Sequence, residues 1–466
     1  MKKKAVIAGI FVLSVIFYIW LWQQYPGLIW DENVYLGNAR ARIGVSNFAE
    51  DFRFPLLEYT IAGIWMITGE SLAAAKLLMI AYTLAMLYVF YLIIKEELNP
   101  ENHTYFLLIS FLTPILLTWS FRVYGDIAGM LFVLLSYYLM IKERKSQSIY
   151  LILGAGACAG IAFLFRFPLA LFGASVTAYL ILRIFFEKYK IRMLLSYFAG
   201  IALSLIPWMI YNSLNYGNPL WDFTAQYSVV DIYTTWQPIS IFFWNFAKNF
   251  HVLSIFFLLS LFIFVNRLHG YRQRKTETSM IAFIFLIISL SYYIFFVNMK
   301  LERYLLAIMP FILLFAFKAI DEMESWMQSA KRKQFRAMII ILVFISAAYA
   351  IPTIDLIMER GWCRTNGPIE QASDHIGELG TEEWVLSNSW PWFGYYNNAH
   401  AASLWTENIT MLLQKYNVKY IVYSTYDNVP FDKSVLDESE LIRMEKSFTN
   451  DCGMSAYVYS SADPAE

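Results

Sequence analysis

The stretch MKKKAVIAGIFVLSVIFYIWLWQQYPGLIWDENVY, residues 1–35, begins with three lysines and continues as an apolar run long enough to cross a membrane. The run is longer than the core of a typical signal peptide, and no small-residue cleavage site follows it. We therefore expect residues 5–22 to remain as a first membrane span. Two adjacent carboxylates, Asp31 and Glu32, come just after that span.

The composition of the whole chain is typical of a polytopic α-helical membrane protein. Of its 466 residues, 58% are hydrophobic and 15% are charged, whereas soluble domains are about one quarter charged. An outer-membrane barrel would instead show short segments of alternating hydrophobicity. The formal net charge is zero, so the charge indicates no nucleic-acid partner.

Eleven apolar spans are predicted, and the segment 54–69 is expected to form a short interfacial helix. The spans lie near residues 5–22, 71–94, 105–120, 127–141, 149–165, 168–184, 193–211, 250–266, 279–297, 303–319 and 337–353. With the N-terminus in the cytoplasm, the inner connections hold more than twice as many Lys and Arg residues as the outer ones. We therefore predict a multi-pass protein of the cytoplasmic (plasma) membrane with an extracytoplasmic C-terminal part.

Residues 354–466 differ in character from the rest of the chain. They contain the strand-like stretches EEWVLSNS, VKYIVYS and SAYVYSS, with a helical stretch around NITMLLQKYN. We predict a transmembrane domain over residues 1–353 and a small α/β domain over residues 354–466 on the outer face. Cys363 and Cys452 lie in this second domain and are candidates for a disulfide if it faces an oxidising compartment.

Two further stretches have a structural and a functional interpretation. GAGACAG, residues 154–160, lies inside a predicted span, so Gly156 and Gly160 indicate close helix packing rather than a phosphate loop. SWPWFGYY, residues 389–396, is aromatic enough to contact a sugar or the membrane. Packing in the core of the C-terminal domain is the preferred interpretation of that stretch.

The candidate site residues are polar side chains in the predicted outer connections. They are Asp31, Glu32, Tyr35, Arg53, Arg122, Tyr124, Asp126, Lys300, Arg303 and Tyr304. A single charged loop residue is usually just solvated, but charges gathered where helices enter the membrane often mark a site. A carboxylate can accept a proton from an incoming hydroxyl, and Arg or Lys can hold a phosphate. Together they indicate transfer from a lipid phosphate at the membrane surface.

Several of these motifs, in this order, resemble the GT-C superfamily of membrane glycosyltransferases, in particular the protein O-mannosyltransferase and lipid A aminoarabinose transferase branch. The resemblance covers about residues 1–320 and rests on WDENVY, FRFPLLEYTIAGIWMITGES, RVYGDIAGML, YGNPLW and KLERYLLAIMPFILLFA. WDENVY matches the acidic pair of the family's first outer loop, and RVYGDIAGML supplies a further acid. The chain departs from better-known members at Arg53-Phe54-Pro55, where they carry Lys-Pro-Pro or His-Pro-Pro.

The resemblance implies a GT-C-like fold and a hexosyltransferase of the mannosyltransferase type, with no cofactor required, although some relatives use a divalent metal. The implied donor is a polyprenyl-phosphate sugar such as dolichyl phosphate mannose, and the implied acceptor is a hydroxyl of a lipid, a glycan or a protein. Transfer with inversion is expected. The implied roles are base for Asp31, acceptor side for Glu32 and Asp126, donor phosphate for Arg303 with Arg53 or Lys300, and pocket lining for Tyr35, Arg122, Tyr124 and Tyr304.

Two other functions remain open on the sequence alone. A transporter or flippase of lipid-linked sugars would tend to place ionisable groups near mid-membrane, in broken helices and repeated halves. The predicted spans are almost free of charge, which favours the enzyme. A non-catalytic subunit of a glycan assembly complex is poorly discriminated by sequence, although the acidic pair at the family's catalytic place argues against it.

Overall fold

The computed structural model describes residues 2–25, 27–46, 50, 52–226, 236–268, 277–327, 329–364, 367–378, 384–397, 400–404, 408, 411, 413, 418–425 and 432–461. Contacts divide the chain into two compact units, which are described separately. The first unit contains Met1–Ile19, Phe52–Leu56 and Leu77–Ile354, and the second contains Trp20–Asp51, Leu57–Lys76 and Asp355–Glu466. The predicted C-terminal domain thus shares its unit with two segments from the N-terminal part of the chain.

Helices cover all eleven predicted spans. In chain order they are α1 (Lys2–Gln24), α2 (Trp30–Arg42), α3 (Leu56–Thr68), α4 (Leu72–Glu97), α5 (His103–Phe111), α6 (Pro114–Trp119), α7 (Gly125–Ser146), α8 (Ile149–Phe165), α9 (Ala170–Glu187), α10 (Ile191–Tyr216), α11 (Ile239–Phe250), α12 (Leu253–Leu268), α13 (Ser279–Phe295), α14 (Met309–Trp326) and α15 (Ser329–Arg364). The predicted span 105–120 is divided between α5 and α6 at Pro114, which lacks the N–H that would continue a helix. The helix predicted over 54–69 corresponds to α3.

Six of the described helices are long and apolar enough to cross a membrane, or seven if the bent pair α11 and α12 forms one span. The six are α1, α4, α7, α9 with the short 3-10 helix before it, α10 and α15. The number is lower than the eleven predicted for three reasons. Helices α8 and α13 have fewer than 18 residues, and the span 105–120 is divided into two short helices. Helix α14 carries charged residues, among them Lys318, Asp321 and Glu324, in its second half. The axes of α11 and α12 differ by 104°, and His251 between them has a φ of +36°.

Close packing of α8 against α10 confirms the structural interpretation of the glycines at 154–160. A Cβ atom on Gly156 would lie 2.1 Å from the Tyr197 carbonyl oxygen, and one on Gly200 would lie 2.1 Å from the Leu153 carbonyl oxygen. A side chain at either position would therefore force the two helix backbones apart. Small residues on both helices bring the backbones into contact.

The second unit contains the predicted small α/β domain. Its sheet has the order β2-β1-β3-β5-β4, with β1 (Trp384–Ser387) parallel to β2 (His400–Ser403) and β3 (Val418–Ser424), and β5 (Ser455–Ser461) antiparallel to β3 and β4 (Ile442–Thr449). The three strand-like stretches thus form β1, β3 and β5. The second unit also contains helices α16 (Pro368–Glu378), α17 (Trp390–Tyr396) and α18 (Ser434–Asp437). Most of the stretch NITMLLQKYN lies outside the described residues.

Candidate active site

The acidic pair lies in the first turn of α2, where the helix dipole favours negative charge. Glu32 accepts a hydrogen bond from the Ile29 amide at 3.1 Å and forms an ion pair with the Lys76 ammonium at 2.5 Å. Both side chains of that pair are fully buried. Asp31 and Tyr35 are also buried, with 6% and 2% of their surface exposed. Glu32 is therefore fixed by a buried cation.

Lys76 was not among the predicted site residues. A lysine at the start of an apolar helix needs a partner, because an isolated buried charge is costly. The sequence offers several acids that could be this partner. Only the fold shows that α4 brings Lys76 to Glu32.

Helix α2 is polar and yet buried from Asp31 to Arg40. Its C-terminal half is held by Glu58 of α3, which accepts hydrogen bonds from Asn38 at 2.7 Å and from the Arg42 guanidinium at 2.7 and 2.9 Å. Arg40 forms an ion pair with Glu70 at 3.0 Å. These ion pairs and hydrogen bonds anchor α2, the helix that carries Asp31.

Aromatic side chains join α2 to α17 of the same unit. The Trp30 ring lies 5.9 Å from Trp390 and 6.0 Å from Trp392, centroid to centroid, with interplanar angles of 88° and 76°. The Arg40 guanidinium donates a hydrogen bond to the Tyr395 carbonyl oxygen. The stretch SWPWFGYY is therefore placed beside the helix that carries the acidic pair.

In the first unit, Asp126 lies in the first turn of α7 and is 2% exposed. Its Oδ1 accepts a hydrogen bond from Arg166 Nε at 3.1 Å, whereas its buried Oδ2 has no hydrogen-bond partner within the described part of the chain. Arg166 was not predicted as a site residue. Its position between two predicted spans was the available signal, because a cation there requires a partner or water.

A close approach of backbones positions Asp126. A Cβ atom on Gly125 would lie 2.5 Å from the Phe165 carbonyl oxygen, so the start of α7 touches the end of α8 directly. Arg166 follows Phe165 in the chain, and the contact therefore brings the two charged groups within hydrogen-bond distance. The absence of a side chain at Gly125 permits this close approach.

Four other predicted residues of the first unit are brought together by ring contacts. The Arg303 guanidinium lies 5.2 Å from the centre of the Tyr124 ring and 5.8 Å from that of Tyr304. Arg122 lies over Trp119 at 4.9 Å, and Trp119 meets Tyr124 edge to face at 4.9 Å. Stacking uses the flat face of a guanidinium, whereas phosphate binding uses its N–H edge. The arrangement is therefore compatible with an anion site.

Lys300 and Arg53 are placed differently. The Lys300 ammonium donates hydrogen bonds to the carbonyl oxygens of Tyr293 at 3.1 Å, Ile294 at 2.8 Å and Val297. These contacts cap the C-terminal end of α13, where a cation is favoured, and give Lys300 a structural role. Arg53 precedes Phe54, whose ring contacts Phe163 and Phe167.

Two further predictions concern the cysteines and a metal site. Cys158 in α8 is a free cysteine. The side chain of Cys363 lies outside the described residues, so its pairing with Cys452 stays a prediction. Among the described residues, no group of three or more His, Cys, Asp or Glu side chains could hold a metal ion.

Comparisons with known proteins agree with these features. Residues 53–211 match the model of the family described as Dolichyl-phosphate-mannose-protein mannosyltransferase. The fold resembles that of ArnT from Cupriavidus metallidurans bound to undecaprenyl phosphate, with 13% identity, a TM-score of 0.67 and coverage of 97% of each chain. It also resembles the arabinofuranosyltransferase AftD from Mycobacteria, with 11% identity and a TM-score of 0.57, over 100% of this chain and 42% of AftD. A comparison with curated protein sequences finds no match.

The family match spans α3 to α10 and includes Arg53, Arg122, Tyr124, Asp126 and Arg166. The match to ArnT extends over nearly the whole chain, including the α/β domain. The resemblance predicted from the short motifs is thus confirmed by two independent comparisons. The chain is a multi-pass membrane protein with the fold of the GT-C superfamily of glycosyltransferases.

Proposed function

We propose that the protein is a glycosyltransferase that moves a sugar from a polyprenyl-phosphate donor to an acceptor hydroxyl. The observation that carries the proposal is the buried acidic pair in the first turn of α2, a helix anchored on both sides of that pair. Glu32 is bound by Lys76 and by the Ile29 amide, and we propose a structural role for Glu32 and the catalytic role for Asp31. The match to a mannosyltransferase family supports the reaction class.

Asp31 is the base in this mechanism. Its carboxylate accepts the proton of the acceptor hydroxyl while the hydroxyl oxygen attacks the anomeric carbon of the donor sugar. The bond between that carbon and the phosphate oxygen breaks, and polyprenyl phosphate leaves as an anion. A single displacement of this kind inverts the configuration at the anomeric carbon. Burial and the anchoring of α2 by Glu58 keep the carboxylate in one place.

Arg303 and Arg122 are the proposed partners of the donor phosphate. A phosphate leaving group needs charge neutralisation rather than protonation, and a guanidinium edge supplies it in a bidentate arrangement. The rings of Tyr124 and Tyr304 lie beside the Arg303 guanidinium, and the ring of Trp119 lies beside that of Arg122. ArnT was crystallised with undecaprenyl phosphate, which supports a polyprenyl phosphate as the carrier.

Asp126 and Arg166 are proposed to act as a positioning pair. Arg166 fixes one oxygen of Asp126, and the other oxygen is available to accept a substrate hydroxyl. This assignment retains the predicted place of Asp126 on the substrate side. We further propose that the reaction takes place on the extracytoplasmic side and requires no metal, because the base and the phosphate-binding cations are supplied by the chain itself.

The test is transfer of radiolabelled sugar from polyprenyl phosphate donors by purified protein in lipid, with Asp31→Asn beside the wild type. We expect transfer to fall by a factor of about a thousand or more, since the substitution keeps shape but removes the base. Asp374→Asn on the exposed face of α16 is the matched control. Near-normal activity of Asp31→Asn with normal folding would exclude Asp31 as the base.

A further inference from the structure

Two amide side chains hold the backbone of the segment that precedes Arg303. Residues 297–301 form neither helix nor strand. Within them, the Lys300 amide donates a hydrogen bond to Gln237 Oε1 at 2.7 Å, and the Lys300 carbonyl oxygen accepts one from Asn245 Nδ2 at 2.9 Å. Both backbone polar groups of Lys300 are therefore bound by side chains from a distant part of the chain.

Two further contacts join the same two parts of the chain. The Gln237 amide donates a hydrogen bond to the Asn298 carbonyl oxygen at 2.9 Å, and Lys248 of α11 forms an ion pair with Glu302 at 3.5 Å. Both side chains of that ion pair are partly exposed, and such pairs contribute little. The hydrogen bonds of Gln237 and Asn245 are therefore the main attachment.

Arg303 follows this attachment directly. It lies in the first turn of the 3-10 helix Glu302–Ala307, three residues after Lys300. The rings of Tyr124 and Tyr304 lie beside its guanidinium, but they do not hold its backbone. A shift of the Lys300 backbone would therefore move the guanidinium, and a displacement of about 1 Å is enough to weaken a binding or catalytic geometry.

Helix α11 is suited to hold this segment because its two faces have different surroundings. Phe242, Asn245 and Asn249 recur at the spacing of one helix face, and Phe242 and Asn249 are buried. Phe243 and Trp244 are exposed, and such aromatic side chains are enriched at the membrane surface. At 104° to α12, α11 runs nearly parallel to the membrane surface if α12 crosses it, at the level of lipid phosphates.

We propose that Gln237 and Asn245 are positioning residues for the donor phosphate. They hold the Lys300 backbone so that the Arg303 guanidinium meets the phosphate, and they act through Arg303 rather than by contact with the donor. The proposal rests on the glycosyltransferase function proposed above and adds two residues to the binding of the donor phosphate.

The test is a double-mutant cycle on the binding of undecaprenyl phosphate, which carries the phosphate but no sugar. The full chain in lipid nanodiscs is compared with Asn245→Ala, Gln237→Met, Arg303→Ala and the double variants that combine Arg303→Ala with either of the others. Ser204→Ala is the matched control, because it also removes a hydrogen bond of 2.9 Å from a side chain to a carbonyl oxygen of another helix. Thermal unfolding checks that each variant is folded.

We expect Asn245→Ala and Gln237→Met each to weaken binding about tenfold, as the loss of one hydrogen bond would. Arg303→Ala should weaken it about a hundredfold. In the Arg303→Ala background, neither of the other changes should weaken binding further, because both act through Arg303. Ser204→Ala should bind like the wild type.

Two results would overturn the proposal. One is a further loss of about tenfold in the double variants, since additive losses mean independent effects. The other is unaltered binding in both Asn245→Ala and Gln237→Met. If Asn245→Ala fails to fold, the cycle with Gln237→Met decides, because methionine keeps the size of glutamine and removes only its polar group.

Sugar transfer, measured separately, distinguishes this proposal from the function on which it rests. If the cycle shows the expected coupling but no polyprenyl-phosphate sugar is ever turned over, the glycosyltransferase function fails and the positioning role stands. If transfer depends on Asp31 but the losses in binding are additive, the function stands and the positioning role fails. Absence of undecaprenyl phosphate binding in the wild type would refute the positioning role.

Discussion

Glu32 and Lys76 form a charge pair with no exposed surface on either side chain. Such a pair is held by mutual attraction against a large cost of desolvation, so loss of one partner leaves the other charge buried and unpaired. Because Glu32 follows Asp31 directly, the same pair fixes the first turn of α2. The stability of the second unit and the geometry of the proposed base therefore depend on one contact.

Replacing Lys76 by Met should destabilise the protein by about 3–5 kcal/mol, because Glu32 is left as an uncompensated buried charge. The double variant Lys76→Met with Glu32→Gln should recover much of the loss. Thermal unfolding of the purified protein measures both, and Lys331→Met on an exposed position is the control. Equal stability of the single and double variants would contradict the coupling.

The carboxyl group of Glu370, at the start of α16, is expected to make the stability of the protein depend on pH. Burial raises the pKa of its carboxyl group, and hydrogen bonds from the Tyr396 hydroxyl and the Gly367 amide limit the rise. A raised pKa in the folded state means that the folded protein binds the proton more tightly than the unfolded chain. The stability that Glu370 contributes is therefore present at low pH and lost as the pH rises through its folded-state pKa.

We expect Glu370→Gln to flatten the pH dependence of stability from the ordinary glutamate pKa upward. The glutamine keeps a hydrogen-bond acceptor for Tyr396 and stays neutral at every pH. Unfolding midpoints measured at several pH values, with Glu378→Gln as the control for an exposed acid on the same helix, would reveal the change. An unaltered slope would show that Glu370 does not ionise in this range.

At the scale of elements, the sequence predicted the positions of helices well, because apolar runs of this length leave few alternatives. It predicted their lengths and breaks less well. The division of 105–120 occurs at Pro114, which lacks the N–H that would continue a helix. The turn of 104° between α11 and α12 has no such signal in the sequence. Apolar content alone does not distinguish a continuous span from two shorter helices.

Gly125 is the clearest case of an element fixed by one residue. A Cβ atom there would lie 2.5 Å from the Phe165 carbonyl oxygen, so Gly125→Ala must separate α7 from α8. We expect a loss of stability of about 1–3 kcal/mol and a fall in transfer of about a hundredfold, because Asp126 moves away from its productive position.

Gly63→Ala in α3 is the matched control, since a Cβ atom there meets nothing within 4 Å. That variant should be neutral or slightly stabilising, because alanine favours a helix over glycine. Measurements of unfolding and of sugar transfer on both variants show whether a side chain at position 125 lowers stability and activity. A neutral Gly125→Ala would show that the helices separate without cost.

The candidate site shows where prediction from sequence reaches its limit. Asp31, Asp126 and Arg303 were identified because charges at helix ends near a membrane are unusual. The sequence does not indicate that Lys76 pairs with Glu32 or that Arg166 pairs with Asp126. It also does not indicate that the Lys300 ammonium caps α13. The pairing of acidic and basic side chains depends on contacts between residues that are distant in sequence. The spacing of residues along the chain does not predict those contacts.

For the molecule as a whole, the distribution of Lys and Arg predicts which side of the membrane each connection faces. Cysteines introduced at the exposed positions Asp374 and Lys331, in a background where Cys158, Cys363 and Cys452 are replaced by Ser, should react with a membrane-impermeant maleimide from opposite sides. In sealed vesicles with the extracytoplasmic face outward, Asp374→Cys should be labelled directly and Lys331→Cys only after permeabilisation. The reverse pattern would invert the proposed topology.

The burial of α2 has a consequence for how this protein tolerates change. Ten consecutive residues, Asp31 to Arg40, are buried although half of the helix is polar or charged. Polar positions usually tolerate more substitutions than apolar ones. In a saturation mutagenesis screen, we expect this order to be reversed along α2. Polar positions such as Asn38 would accept almost no substitute, whereas lipid-exposed apolar positions such as Leu13 of α1 would accept many. Related natural sequences should likewise vary little at the polar positions of α2 and more at such apolar positions.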